Sequence, residues 1–177
     1  MKNTIRINLN PGGCNDRKHL IDLCLNNPDQ QYLAIGWSYV YDKEDTINNY
    51  EDYYWAVKKY ENEQGHRINT VHNKFRYAEI DDLYWARDME GFYWICRVIE
   101  RPIPTCDRDL DIGAILPIKA FKVGIEVPGQ IKASFNRRKG GTAAAIKDKL
   151  ITEYSKYMYN KTSKTDYYTV NKLEGDC

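Results

Sequence analysis

The chain of 177 residues lacks a long apolar run and has a net charge of only +1. No apolar stretch approaches the roughly 20 residues of a membrane-spanning helix, so no membrane partner is expected. The first ten residues, MKNTIRINLN, also lack the apolar segment of a secretory signal. We therefore expect a soluble, cytoplasmic protein.

Cysteine and histidine are scarce and badly spaced for metal binding. No CxxC pair occurs, and the three histidines do not stand at zinc-site spacing from any cysteine. Cys24 and Cys96 lie within apolar stretches, which favours buried, reduced thiols. We expect no metal and no cofactor.

Catalytic motifs are absent as well. The sequence has no GxSxG, Walker A or HExxH motif, and no GxGxxG motif after a strand. Asp81 and Asp82 could begin a nuclease site, but no lysine stands nearby, and an acidic turn before a strand is favoured. His66 and His72 have no nucleophile beside them in the sequence. The sequence therefore predicts a protein that is not an enzyme.

Charge is segregated along the chain despite the small total. Residues 79–90 carry five acidic residues against Arg87, and residues 132–149 carry six basic residues against Asp148. The sequence also has 15 tyrosines and 4 tryptophans. Aromatic side chains can fill a core or offer stacking faces to bases, and composition alone leaves both interpretations open.

Periodicity and turn residues predict a single α+β domain over residues 1–160, followed by a flexible tail over 161–177. Strands are expected over 4–9, 32–40, 83–87, 92–99, 112–116 and 118–123, with the central two forming a hairpin and Pro117 interrupting the last two. Helices are expected from Asn15 or Asp16 to Pro28, over 50–63, over 68–77, and from Thr142 as N-cap. Gly36 would mark a bulge or a close approach of another group.

The segment from Phe135 to Thr142 is the first candidate binding site. Its core is Asn136, Arg137, Arg138, Lys139 and Gly140, so three cations and a glycine pair precede the predicted helix. Glycines and exposed N–H groups at a helix start suit a phosphate, and the cations add salt-sensitive attraction to a nucleic-acid backbone. An ordinary flexible basic loop is the alternative.

The tryptophans form the second candidate site. Trp37 follows Gly36 and precedes Ser38, so it could offer a stacking wall with a hydrogen-bonding neighbour. A core tryptophan is an equally good interpretation. Trp85 and Trp94 belong to the predicted hairpin, where residues alternate between faces, and one or both could lie in the core.

Three segments in this order resemble the PUA-like reader domains close to the EVE family. They are IGWSYV at 35–40, DDLYWARDMEGFYWICRVIE at 81–100 and VPGQIKASFNRRKGGTAAAI at 127–146. The family has an early Gly-Trp strand, a central aromatic hairpin, and a Val-Pro-Gly turn before a basic segment and final helix. The resemblance covers residues 30–150.

The resemblance implies a small, curved or closed β-barrel with flanking helices. It implies a nucleic-acid-binding reader that recognises a modified, flipped base, such as a modified cytosine in DNA, in an anti-phage restriction or defence system. Trp37 and Ser38 would lie at the pocket, a hairpin aromatic would form a second wall, and Arg137, Arg138 and Lys139 would hold the backbone. An effector nuclease or NTPase would be the partner.

The chain departs from this pattern between Val40 and Tyr77, where a long, tyrosine-rich helical insertion could reshape or cover the pocket. Two other functions stay open. PUA-like domains also bind RNA, and the chain could instead be a sensor of a protein or small molecule without any nucleic-acid role.

Overall fold

The computed structural model describes residues 3–10, 16–136 and 141–171, which form an α+β fold. Within these ranges the chain has seven strands, five α-helices and one 3₁₀ helix. They are β1 (Thr4–Ile7), α1 (Arg17–Leu25), β2 (Tyr32–Ile35), the 3₁₀ helix (Ser38–Asp42), α2 (Tyr50–Glu63), α3 (Thr70–Arg76), β3 (Leu83–Arg87), β4 (Tyr93–Val98), β5 (Ile103–Asp107), β6 (Ile112–Gly124), α4 (Gly129–Phe135), β7 (Ala143–Ala145) and α5 (Lys149–Ser163). None of these described helices has the length and apolar character needed to cross a membrane.

The strands form one mixed sheet that curls into a half-barrel. Its order is β2-β6-β4-β3-β1-β7, and β5 pairs with β6 outside this path. β1 runs parallel to β3, and the other pairs are antiparallel. The pairing shifts register beside Tyr93 and again after Pro104, and such irregularities increase local bending and twist. The curvature expected of the sheet is thus present, and β2 and β7 lie at the two ends of the strand order.

Helices cover both faces of this sheet. Along β3, Tyr84 and Ala86 point into a hydrophobic cluster shared with α1, α2 and α3, whereas Leu83 and Trp85 point into a second cluster shared with α4 and α5. Successive side chains of a strand point to opposite faces of the sheet, so β3 is buried on both faces. The apolar and aromatic hairpin of the sequence therefore forms the centre of the core.

Helix boundaries follow from local capping. Asp16, Asn49, Asn69 and Asp148 each accept a backbone N–H in the first turn of the helix that follows. The helix expected over 50–63 is confirmed residue for residue, and Gly65 follows it with a φ of 73°. The helix start at Asp16 and the hairpin of β3 and β4 are confirmed as well.

The single strand expected over Tyr32–Val40 is wrong. β2 ends at Ile35, and Trp37 takes a left-handed conformation with a φ of 62° that turns the chain into the 3₁₀ helix. The close approach expected at Gly36 is confirmed, because a Cβ there would lie 2.7 Å from Oδ2 of Asp111. The break expected at Pro117 is wrong, since β6 continues through it with Pro117 opposite Tyr32.

The helix expected to start at Thr142 is also wrong. Residues Ala143–Ala145 form β7, which pairs with β1, and α5 begins only at Lys149, with Asp148 as its cap. Thr142 is therefore not an N-cap. The basic segment before it consequently loses the helix N-terminus that the phosphate hypothesis relied on.

The described part of the expected tail, residues 161–171, is hydrogen-bonded to the rest of the domain. The hydroxyl of Tyr167 donates to Oδ1 of Asp81 at 2.8 Å, and that of Tyr168 donates to the Asp81 carbonyl at 2.9 Å. Asn160 on α5 also exchanges two hydrogen bonds with the backbone of Tyr168. Residues up to 171 thus extend the fold, and 172–177 lie outside the described residues.

Candidate functional site

A cavity of about 370 Å³ lies between the end of β2 and the chain that flanks β1 and β7. Its volume falls within the range of small-ligand sites. Its walls come from five separate segments of the chain: Asn8, Asn10, Ala34, Ile35, Gly36, Trp37, Tyr39, Asn69, Asp111 and Thr142. A second cavity of about 600 Å³ is lined only by residues 157–170, from one helix end and the segment after it. Convergence of distant segments makes the first cavity the candidate site.

One carboxylate orients the two aromatic rings of the wall. Oε1 of Glu61 on α2 accepts the indole N–H of Trp37 at 3.0 Å and the hydroxyl of Tyr39, also at 3.0 Å. Burial, followed by the hydrogen bond to Glu61, raises the pKa of the Tyr39 phenol, which therefore stays neutral at physiological pH. Glu61 itself lies behind the wall, so it holds the rings without occupying the cavity.

A buried histidine supports Trp37 from the other side. The rings of His72 and Trp37 meet edge to face with centroids 4.4 Å apart. Nδ1 of His72 lies 3.2 Å from the Asn69 carbonyl, which assigns the proton to Nδ1. Nε2 then faces the Tyr53 hydroxyl at 3.4 Å, and that hydroxyl donates to the Gly36 carbonyl at 2.6 Å. Burial lowers the pKa of His72 to about 4, so the imidazole is neutral.

Asp111 forms another part of the cavity wall. Its Oδ1 accepts the backbone N–H of Ser38 at 3.0 Å and the Ser38 hydroxyl at 2.8 Å. Asp111 has a φ of 49°, so two of the four described non-glycine residues with positive φ line this cavity. Each such conformation costs about 1–2 kcal/mol. Gly36 completes the arrangement, because any side chain there would collide with the Asp111 carboxylate.

Amide and hydroxyl groups form the polar side of the cavity. Nδ2 of Asn69 donates to Oγ1 of Thr142 at 3.1 Å, while Oδ1 of Asn69 accepts the Val71 N–H. The Thr142 hydroxyl hydrogen is thereby left to donate to a ligand. Among the described residues, no protein group hydrogen-bonds the side-chain amides of Asn8 or Asn10. These two amides can each offer a donor and an acceptor to a bound molecule.

The structure separates the candidate residues of the sequence into three groups. Trp37 and Thr142 line the cavity, and Ser38 acts behind it through Asp111. Trp85 is fully buried and donates its indole N–H to Ser155 at 2.8 Å, and Trp94 is buried with its indole N–H on Asp88 at 2.9 Å. Both hairpin tryptophans therefore belong to the core, and neither is a second wall of this cavity.

Within the basic segment, the structure describes Phe135, Asn136, Gly141 and Thr142. Phe135 is buried against Tyr93, under the guanidinium of Arg87, and Asn136 is exposed with its Oδ1 3.5 Å from Arg87. Neither lines the cavity. Arg137, Arg138, Lys139 and Gly140 lie outside the described residues. The chain returns at Gly141, directly before the cavity residue Thr142.

Sequence reasoning missed most of the polar lining. Asn69 could have been found, since an asparagine before a helical pattern is a typical N-cap. Asn8 and Asn10 follow a strand, and Asp111 precedes one, but nothing in the sequence brings these ends together. The helical insertion between Val40 and Tyr77 does reshape the site, because it supplies Glu61, Asn69 and His72.

The chain matches no family model, no curated protein and no solved structure. Its resemblance to PUA-like and EVE domains therefore stays a prediction. The α+β half-barrel is compatible with it, and the particular fold family stays open.

Proposed function

We propose that the protein is a nucleic-acid-binding reader that holds one extruded, modified base in the cavity beside Trp37. The observation that carries the proposal is the convergence of an oriented indole with a carboxylate and free amide groups around about 370 Å³. A flipped base needs both a stacking surface and hydrogen bonds to its edge.

The energetics favour such an occupant. Extrusion of a base costs a few kcal/mol, and stacking on an aromatic side chain returns roughly 1–3 kcal/mol. Asp111 can accept from an exocyclic amino group, and asparagine amides can pair with an adjacent donor and acceptor. Trp37 is only half-buried, so part of the ring that Glu61 and His72 orient is open to solvent.

The phosphate backbone would be held by Arg137, Arg138 and Lys139. This part of the proposal rests on the sequence, in which the three cations stand between Asn136 and the cavity end of the chain at Thr142. Three cations at these positions in the sequence would attract a nucleic acid in a salt-dependent way.

DNA is the proposed substrate, with RNA as the alternative. The resemblance extends the proposal to a place in a restriction or anti-phage system and to an effector nuclease or NTPase as partner. The proposed non-catalytic role rests on the lack of catalytic motifs in the sequence. A sensor of a small molecule or protein is the second alternative.

Fluorescence anisotropy with labelled oligonucleotides tests the proposal. Matched duplexes with and without a modified base, and a structured RNA as competitor, are titrated with the wild type, Trp37→Ala and Trp55→Ala. Trp55 is half-exposed on α2, does not line the cavity and serves as the control. Loss of one stacking contact predicts about a ten-fold weaker binding for Trp37→Ala alone. Equal affinity for all duplexes, or equal effects of both variants, would contradict a base reader.

A second arm tests the backbone contact. A variant with Arg137, Arg138 and Lys139 all replaced by alanine is expected to bind more weakly to every duplex and to show a shallower dependence on salt. A sensor with no nucleic-acid role would keep its partner binding unchanged in this variant.

A further inference from the structure

The cavity wall carries negative charge. Asp111 is its one acidic residue, and no lysine or arginine is among the described residues that line it. A second carboxylate, that of Glu61, lies directly behind Trp37 and Tyr39. His72 is neutral and adds no compensating charge.

Four described cations contact residues in or beside the cavity wall without contacting Asp111. Nζ of Lys43 lies 5.7 Å from the centroid of the Tyr39 ring, and Arg17 donates to the Leu9 carbonyl at 2.9 Å. Arg108 donates to the Ser38 carbonyl and pairs with Asp42 at 2.6 Å. Arg6 is 1% exposed and donates to the carbonyls of Gly141 and Thr142 at 2.7 and 3.2 Å. Arg108 and Arg6 therefore contact groups other than the Asp111 carboxylate, which lines the cavity.

A neutral base against this wall would remove water from the Asp111 carboxylate and return at most a hydrogen bond from an exocyclic amino group. Oδ1 of Asp111 is already committed to Ser38, so Oδ2 is the atom left for the ligand. Desolvation of a carboxylate is costly unless an opposite charge replaces the water. A positively charged occupant would supply that charge.

The Trp37 indole also favours a positively charged ligand. A cation over the face of an indole gains the most favourable of the cation–π interactions, and the gain grows as water is excluded. The free amides of Asn8 and Asn10, together with the Thr142 hydroxyl, distinguish a base from a methylated ammonium group. An ammonium group with every N–H replaced by methyl has no use for these donors and acceptors.

We propose that the preferred occupant is a cationic nucleobase, alkylated on a ring nitrogen, held between the Trp37 indole and the Asp111 carboxylate. This inference rests on the proposed base-reading function and narrows its ligand class from modified bases in general to bases that are positively charged at neutral pH.

Matched oligonucleotides test it by fluorescence anisotropy. One position carries 3-methylcytosine or 1-methyladenine, which are cationic, or 5-methylcytosine, unmodified cytosine or 3-methyluracil, which are neutral. 3-Methyluracil has its methyl group on the same ring nitrogen as 3-methylcytosine and also cannot pair normally, so it controls for shape and for ease of extrusion. We expect the cationic bases to bind at least about ten-fold more tightly than 3-methyluracil.

Asp111→Asn is the decisive variant, because an asparagine keeps an oxygen for the Ser38 donors and tolerates positive φ. Its preference for cationic over neutral bases should be several-fold smaller than that of the wild type, and the part due to the Trp37 ring should remain. The control is Asp109→Asn, at an exposed neighbour outside the cavity, and it should keep the wild-type preference.

The outcomes separate the two proposals. Tight binding of 5-methylcytosine or 3-methyluracil, equal to that of the cationic bases, overturns the cationic occupant and leaves the base reader standing. No preference for any modified base overturns the base reader as well. Tighter binding of a trimethyllysine peptide than of any oligonucleotide overturns both.

Discussion

We expect His72 to make the fold lose stability as the pH falls below neutral. Its imidazole is buried beside Trp37 and has a pKa of about 4 in the folded protein, against an ordinary value of 6.5. Between these values the unfolded chain binds a proton that the folded chain does not. The free energy of unfolding therefore decreases as the pH falls from 6.5 toward 4 and stops changing through this residue below that range.

The size of the effect follows from the gap between the two pKa values. A difference of about 2.5 pH units corresponds to about 3 kcal/mol over the whole range. About 2 kcal/mol of this should be lost between pH 7 and pH 5. That is a large part of the stability of an ordinary domain.

Urea denaturation at pH 7 and pH 5 measures it, with the wild type, His72→Gln and His19→Gln compared. His19 is exposed on α1 and controls for removal of a histidine. Carboxylates titrate in all three proteins, so their contribution cancels in the comparison. The wild type and His19→Gln should each lose about 2 kcal/mol more than His72→Gln. An equal loss in His72→Gln would show that this imidazole does not stay neutral in the fold.

Two further substitutions probe the cavity and the core by urea denaturation. Gly36→Ala would place a Cβ 2.7 Å from Oδ2 of Asp111 and should lower the free energy of unfolding by about 1–3 kcal/mol. The control Gly129→Ala meets no atom within 4 Å and should be neutral or slightly stabilising. Equal effects of the two substitutions would mean that Asp111 moves freely. Ser155→Ala leaves the Trp85 indole N–H buried without its acceptor and should cost about 1–3 kcal/mol, and a change near zero would refute that role.

The parts of the fold that local chemistry determines could be predicted from the sequence. α2 was predictable to the residue, because Asn49 caps it, apolar residues recur with helical spacing, and Gly65 follows its end. The hairpin was predictable because two aromatic-rich runs flank a turn that ends in Gly91. Each of these features lies within a few residues of the element that it specifies.

The parts that distant pairing determines could not be predicted. Ala143–Ala145 has a high helix propensity, yet it forms β7 because β1 offers an edge to pair with. Trp37 could be identified as a candidate but not placed, since its orientation depends on Glu61 and His72 from the insertion. Trp85 and Trp94 were ambiguous because alternation along a strand does not tell which face is covered.

Two residues of the cavity wall, Trp37 and Asp111, have a backbone conformation with positive φ. A bulky residue such as tryptophan rarely adopts positive φ, whereas aspartate tolerates it in turns. Here Trp37 and Asp111 both adopt that conformation in the cavity wall. The Trp37 indole donates a hydrogen bond to Glu61, and Asp111 accepts two from Ser38. Such strain persists where the surroundings over-determine it, and it concentrates at sites that must be formed before the ligand arrives. Under the proposed function, the Trp37 ring and the Asp111 carboxylate are therefore held in place before a ligand arrives.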